Sequence, residues 1–123
     1  MKHPNLFQSY TFNNGVTVSN RLAVAPMTHL ASDDNGHITA EERQFLTDRF
    51  RGIGLFISAA TLVHDGGKAF YGQPEAIGTE DLPSLREVAQ IAHDQGAKAL
   101  LQIHHGGWQS IPALNPNGEI FAP

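Results

Sequence analysis

The 123-residue sequence contains no cysteine. That excludes disulfides and thiolate metal sites and fits a cytoplasmic protein. Positive charge is scarce. Eight Lys and Arg stand against 12 Asp and Glu, a formal net charge of -4 with His neutral. No basic cluster is present, so no nucleic-acid partner is expected. Long apolar runs are missing too. The longest falls far short of the ~20 residues that cross a bilayer, and no apolar signal segment follows Met1-Lys2-His3-Pro4-Asn5. No membrane partner is expected, and the location is read as cytoplasmic. Internal repeats and low-complexity segments are absent. What remains is a globular composition, 41% hydrophobic and 16% charged, with 12 Gly and 7 Pro.

Turn chemistry divides the chain. Tyr10-Thr11-Phe12 and Val16-Thr17-Val18 flank Asn13-Asn14-Gly15, and an Asn-Gly pair between β-prone runs predicts a hairpin. Arg21 to Pro26 is short and nearly all apolar, the signature of a parallel strand buried on both faces. Thr39 with Glu42 three residues on is a capping-box pattern that opens a helix. Phe45, Leu46, Phe50 and Ile53 share its apolar face, and Gly52 ends it. Leu55 to Ala60 reads as a second buried strand. A Gly-, Gln- and Pro-rich loop covers residues 64–78. A second helix starts near Asp81 with Pro83 in its first turn, carries Leu85, Val88, Ala89 and Ala92 on one face, and stops at Gly96. Lys98 to His104 is the third strand, and the tail reads as loop.

Strands alternating with helices predict an α/β fold of parallel βαβ units. An open doubly wound sheet should carry a glycine-rich phosphate turn after its first strand. Here that turn is Pro26-Met27-Thr28-His29-Leu30. Gly52-Ile53-Gly54 lies before a strand, the wrong side for a dinucleotide fingerprint. In a closed (β/α)8 barrel the chemistry collects at strand carboxyl ends. That is where Pro26-Met27-Thr28, Ala60-Thr61 and Gln102 to His105 fall, so the pattern favours the barrel. Among the histidines, His104 and His105 are strand neighbours pointing to opposite faces, so no metal site is expected. His37, His64 and His93 are expected to be solvated, and Asp65-Gly66-Gly67 to be a turn.

These segments resemble a known family. Asn20-Arg21-Leu22-Ala23-Val24-Ala25-Pro26-Met27-Thr28 resembles the N-R-φ-φ-φ-A-P-M-T stretch that opens Old Yellow Enzyme and related NADH:flavin oxidoreductases. Gly52-Ile53-Gly54-Leu55-Phe56-Ile57 and Ala60-Thr61 resemble their second strand and its end. Lys98 to Gly107 resembles their third strand, which closes on Q-φ-x-H-x-G. The resemblance spans essentially the whole chain in register.

It implies the amino-terminal part of an FMN-binding (β/α)8 TIM barrel. Residues 1–20 would be a barrel-floor hairpin, 21–105 three strands and two helices in β-α-β-α-β order, and 106–123 the loop after the third strand. It also implies FMN as cofactor, NADH or NADPH as hydride donor, activated alkenes or related acceptors as small-molecule substrates, and a homo-oligomer. Pro26, Met27 and Thr28 would line the flavin, with the Thr28 hydroxyl on the carbonyl beside N5. The Ala60 backbone would reach the same edge, and the Gln102 amide would pair with the imide. Such an amide offers both donor and acceptor.

The family's substrate anchors, proton donor and phosphate ligands would lie downstream of Pro123, since a complete barrel needs roughly 250 residues. The chain departs from the family pattern at His29 and Trp108, where Arg is frequent. His104 would face the substrate side. Read from the residues alone, Thr28 could cap its loop, Gln102 could bond a neighbouring backbone, and Ala60 could be small for packing. Two other readings stay open: a non-catalytic barrel fragment that self-associates, and an α/β-barrel enzyme without flavin.

Overall fold

The computed structural model describes residues 2–122. In chain order its elements are β1 (Tyr10–Thr11), β2 (Thr17–Val18), β3 (Ala23–Val24), α1 (Ala40–Leu46), β4 (Leu55–Ile57), β5 (Thr61–Leu62), α2 (Leu82–Asp94), β6 (Lys98–Leu100) and β7 (Ile103–His104). Short 3-10 turns lie between and beyond them, and most of the remainder is loop.

β1 and β2 form the expected antiparallel hairpin, Tyr10 opposite Val18 and Thr11 opposite Thr17. Gly15 takes φ 84° in its turn, a conformation that costs glycine nothing. The hairpin leans on the amino ends of β3 and β4, where Tyr10, Phe12 and Val18 share a cleft with Leu22, Ala23 and Leu55. Asn20 secures the same end. Its Oδ1 accepts from Leu22 N at 2.9 Å and Gly54 N at 3.0 Å, and its Nδ2 donates to Gly52 O at 3.0 Å. A Cβ on Gly54 would lie 2.4 Å from Asn20 O, so that glycine of Gly52-Ile53-Gly54 serves close packing.

β3, β4 and β6 lie side by side as a parallel sheet with β4 in the centre. Ala23 pairs with Leu55 and Val24 with Phe56. Leu55, Phe56 and Ile57 in turn pair with Lys98, Ala99 and Leu100. β5 and β7 form a second parallel pair, Thr61 opposite Ile103 and Leu62 opposite His104. The crossover chains carry α1 and α2. Val24, Phe56 and Ala99 project to the helix side, where Leu46, Phe50, Ala92 and Ala97 complete the core. The rings of Phe50 and Phe56 pack with centroids 4.3 Å apart.

Four expectations need correction. First, the strands are not buried on both faces: Ala23 and Leu100 are exposed, and Leu55 and Ile57 only half-buried. The pleat sends every second residue away from the helices, and no layer among the described residues covers that side. Second, the run Leu55–Ala60 is strand only as far as Ile57, with β5 starting beyond it at Thr61, and Lys98–His104 is broken in two. Ser58 supplies the reason, because its Oγ accepts from Gln102 N at 2.9 Å and replaces a ladder bond by a side-chain bond. Third, α1 stops at Leu46, not near Gly52. Thr47 Oγ1 donates to Arg43 O at 2.8 Å, and Asp48 turns to φ 65°. Gln95, past the end of α2, then satisfies both loose ends, with Oε1 accepting from Phe50 N at 2.8 Å and Nε2 donating to Leu46 O at 3.1 Å. Fourth, His37 is not simply solvated, since its Nε2 lies 3.1 Å from Asp81 Oδ1.

Candidate flavin site at the strand ends

Sheet order brings three segments to one edge. Pro26-Met27-Thr28 leaves β3, Ala59-Ala60 leaves β4, and Leu101-Gln102 leaves β6. Pro26, Met27 and Thr28 are exposed, while Ala60 and Gln102 are half-buried.

The Ala59–Ala60 peptide is held from behind. Ser58 Oγ and Thr61 Oγ1 both donate to Ala59 O at 2.9 Å. A trans peptide directs its N–H opposite to its C=O, so the Ala60 N–H is turned away from these hydroxyls. It makes no hydrogen bond among the described residues. The next peptide is fixed as well: Ala60 O accepts from Gln73 Nε2 at 3.2 Å, and Thr61 N donates to Gln102 O at 2.9 Å. With its N–H on Ser58, the Gln102 backbone is engaged on both sides. Its side-chain amide, like the Thr28 hydroxyl, has no partner among the described residues.

The loop after Thr28 is anchored to α1. His29 Nε2 lies 3.3 Å from Glu42 Oε1, and Ser32 Oγ donates to Glu42 Oε2 at 3.0 Å. Thr39 Oγ1 accepts from Glu42 N at 3.1 Å, which gives the predicted N-cap. Burial raises the Glu42 carboxyl above the ordinary glutamate value, and His29 and Ser32 offset it only in part. His29 lines a cavity of ≈ 180 Å³ between the sheet and α2, together with Ser58, Thr61, Val88 and Leu101. That shared wall places the loop carrying Thr28 beside the end of β4.

Sequence reasoning singled out Pro26, Met27, Thr28, Ala60 and Gln102, and the strand ends bring these positions to one edge. It missed Ser58, which ties two of the segments together, and Gln73. The only available signal for Ser58 was a hydroxyl inside an otherwise apolar strand. His104 and His105 engage different neighbours, His104 with Gln73 and Phe70 and His105 with His64 and Gly107.

Residues 5–119 match the family model of the NADH:flavin oxidoreductase / NADH oxidase family. The chain belongs to that family. It is 43% identical over 122 residues to "Probable NADH-dependent flavin oxidoreductase YqiG" of Bacillus subtilis, covering 99% of this chain and 33% of that protein. It is 34% identical over 110 residues to "Probable flavin mononucleotide-dependent alkene reductase" of Leishmania infantum, covering 89% of this chain and 30% of that protein. The Old Yellow Enzyme of Pichia sp. AKU4542 superposes with a TM-score of 0.82 at 19% identity, over 93% of this chain and 30% of that one. The chain therefore has the fold of the amino-terminal part of an Old Yellow Enzyme barrel, and spans about a third of the length of these relatives. It contributes parallel strands and two α-helices, not a closed barrel.

Proposed function

We propose that these strand ends form one wall of an FMN pocket in an NAD(P)H-dependent oxidoreductase that reduces activated alkenes such as enones and enoates. One observation carries the reading. Among the described residues, a hydroxyl at Thr28, a backbone N–H at Ala60 and an amide at Gln102 stand without protein partners at the shared edge, while Ser58, Thr61 and Gln73 hold the backbone behind Ala60 and Gln102. This donor set fits the polar edge of a flavin. Gln102 would face the imide with both donor and acceptor, and Ala60 N–H and Thr28 Oγ1 would donate to ring carbonyls. Bound there, FMN would supply two-electron chemistry between a nicotinamide and an electrophilic double bond. Donors preset at the ring edge would stabilise its electron-rich reduced form, and Pro26 and Met27 would cover it from water.

The names of the relatives support the same chemistry, and no helix among the described residues is long and apolar enough to cross a membrane. The test is to purify the gene product and pass it through gel filtration. Flavin absorbance that coelutes, is bleached by NADH or NADPH and returns on adding cyclohexenone is the expected result. A colourless protein that takes up no added FMN would overturn the reading. Residues 1–123 expressed alone should neither hold FMN through gel filtration nor turn over, because only one wall of the pocket is present. That piece exposes Ile103 at 69% and Leu100 at 48%, an apolar face of the kind that drives association, so light scattering should show it self-associating.

A further inference from the structure

Gln73 lies in the Gly- and Pro-rich loop between β5 and α2, where sequence assigns it nothing. It is nonetheless 0% exposed, and all three of its polar contacts are made inside the protein. Oε1 accepts from Ala69 N at 2.9 Å. Nε2 donates to Ala60 O at 3.2 Å and lies 3.0 Å from His104 Nδ1. The amide orientation is determined by chemistry. A backbone N–H only donates and a carbonyl only accepts, so the oxygen must face Ala69 and the nitrogen must face Ala60. The second amide hydrogen is then left for His104. Nδ1 must accept it, and a neutral imidazole in that state carries its proton on Nε2. His104 Nε2 has no partner among the described residues.

We propose that Gln73 is a positioning residue of the flavin site: one buried amide ties the Ala60 peptide to His104 and holds His104 as an Nε2–H donor for a carbonyl or carboxylate oxygen of the acceptor substrate. The inference rests on the functional reading above for the identity of that substrate. The link between Gln73 and His104 rests on geometry alone. The arrangement explains why a polar side chain with two donors is fully buried in a loop, since a buried amide left unpaired is strongly disfavoured. It also couples the two ends of the site. A shift of the Ala60 peptide displaces Gln73, and through it the ring that meets the substrate.

The first measurement needs no variant. In the gene product labelled with 15N-histidine, NMR should show His104 with a bare Nδ1 and a protonated Nε2. A proton on Nδ1 would overturn the proposal. Gln73→Glu keeps the acceptor for Ala69 and removes both donors, so it should draw the His104 proton to Nδ1. An unchanged tautomer would overturn the link. In the holoenzyme, Gln73→Met should raise KM for cyclohexenone roughly threefold to tenfold, the effect of one ordinary hydrogen bond. The rate at which NAD(P)H reduces the flavin should change by a smaller factor than KM, and a larger change there than in KM would overturn the link to the substrate. In a His104→Ala background Gln73→Met should add little further, because residues that act through one another are non-additive. Equal effects on KM in both backgrounds would make Gln73 purely structural. If Gln73→Met does not fold, the isosteric Gln73→Glu takes its place in the kinetic comparison. A gene product with the Nε2–H tautomer and no affinity for FMN would sink the functional reading and uphold the Gln73–His104 link.

Discussion

The two faces of the same strands behave oppositely. On the helix side, Val24, Phe56 and Ala99 meet Leu46, Phe50 and Ala92 in a closed apolar layer. On the other side and at the carboxyl ends, Ala23, Met27, Thr28, Leu100 and Ile103 are exposed. One pleat separates a surface that holds the fold together from a surface that leaves its groups free for a ligand or for further barrel strands. Stability and function are therefore carried by alternate residues, and substitutions should sort the same way.

The largest effect belongs to the closed face. Phe50 is 1% exposed and stacked on Phe56, so Phe50→Ala leaves a cavity as well as losing burial. It should cost ~3–5 kcal/mol, read as a drop in the urea midpoint. A loss below about 1 kcal/mol would mean that the helix layer is not the stabilising one. Ser58→Ala tests the boundary between the faces. The Ser58 hydroxyl is buried, accepts from Gln102 N and donates to Ala59 O. Its removal strands the part-buried Gln102 N–H and should cost about 1 kcal/mol, while also weakening FMN binding. If stability falls and FMN affinity does not, the strand break is structural and has no part in the site.

The open edge should show the reverse. Thr28→Val and Gln102→Leu remove groups without protein partners, so stability should move by less than about 0.5 kcal/mol. FMN affinity of the gene product should fall roughly tenfold for Gln102→Leu and less for Thr28→Val, about 1.4 kcal/mol at most for a lost pair of hydrogen bonds. Fluorescence titration with FMN against the denaturation curve of the same variants separates the two quantities. Variants that lose stability and retain FMN would invert the comparison.

This division also explains what was legible in the sequence. Strand–helix alternation, the Asn-Gly hairpin and the Thr39 cap are local signals, and each appears as read. The polar strand ends stood out because Thr28 and Gln102 interrupt apolar runs. The end of α1 was not legible, because Phe45, Leu46, Phe50 and Ile53 keep helical spacing. The chain leaves the helix at Thr47 and Asp48, and Gln95, 49 residues beyond Leu46, caps the freed carbonyl, a long-range partner that leaves no local mark. The break between β6 and β7 was hidden for the same reason: the Ser58 hydroxyl that takes the Gln102 N–H out of the ladder comes from a segment 44 residues away. Gln73 was invisible because a glutamine in a polar loop is ordinarily solvated, and only the fold brings Ala60, Ala69 and His104 to it.

The smallest expected effect lies where the two faces meet α1 and α2, in a pair of buried carboxyls with opposite pH dependence. Burial raises Glu42, and His29, Ser32, the Thr39 N–H and Arg43 counteract it without restoring the ordinary value. Burial also acts to raise Asp81, but the N–H groups of Gly78 and Ile77 and the His37 ring outweigh it and hold Asp81 low. A carboxyl raised in the folded state contributes stability below its unfolded value, and this is lost as pH climbs through the folded value. A lowered carboxyl contributes above its unfolded value, and this is lost as pH falls through the folded one. Glu42→Gln should therefore gain on the wild type as pH rises from the acid range to neutral, and Asp81→Asn should fall behind over the same rise. Urea midpoints of the three proteins at several pH values show the sign directly. Profiles that stay parallel to the wild type would mean that neither carboxyl is shifted by folding. Glu42 would then hold the Thr28 loop through its hydrogen bonds to Ser32 and Thr39 alone, with no contribution from the charge it shares with His29.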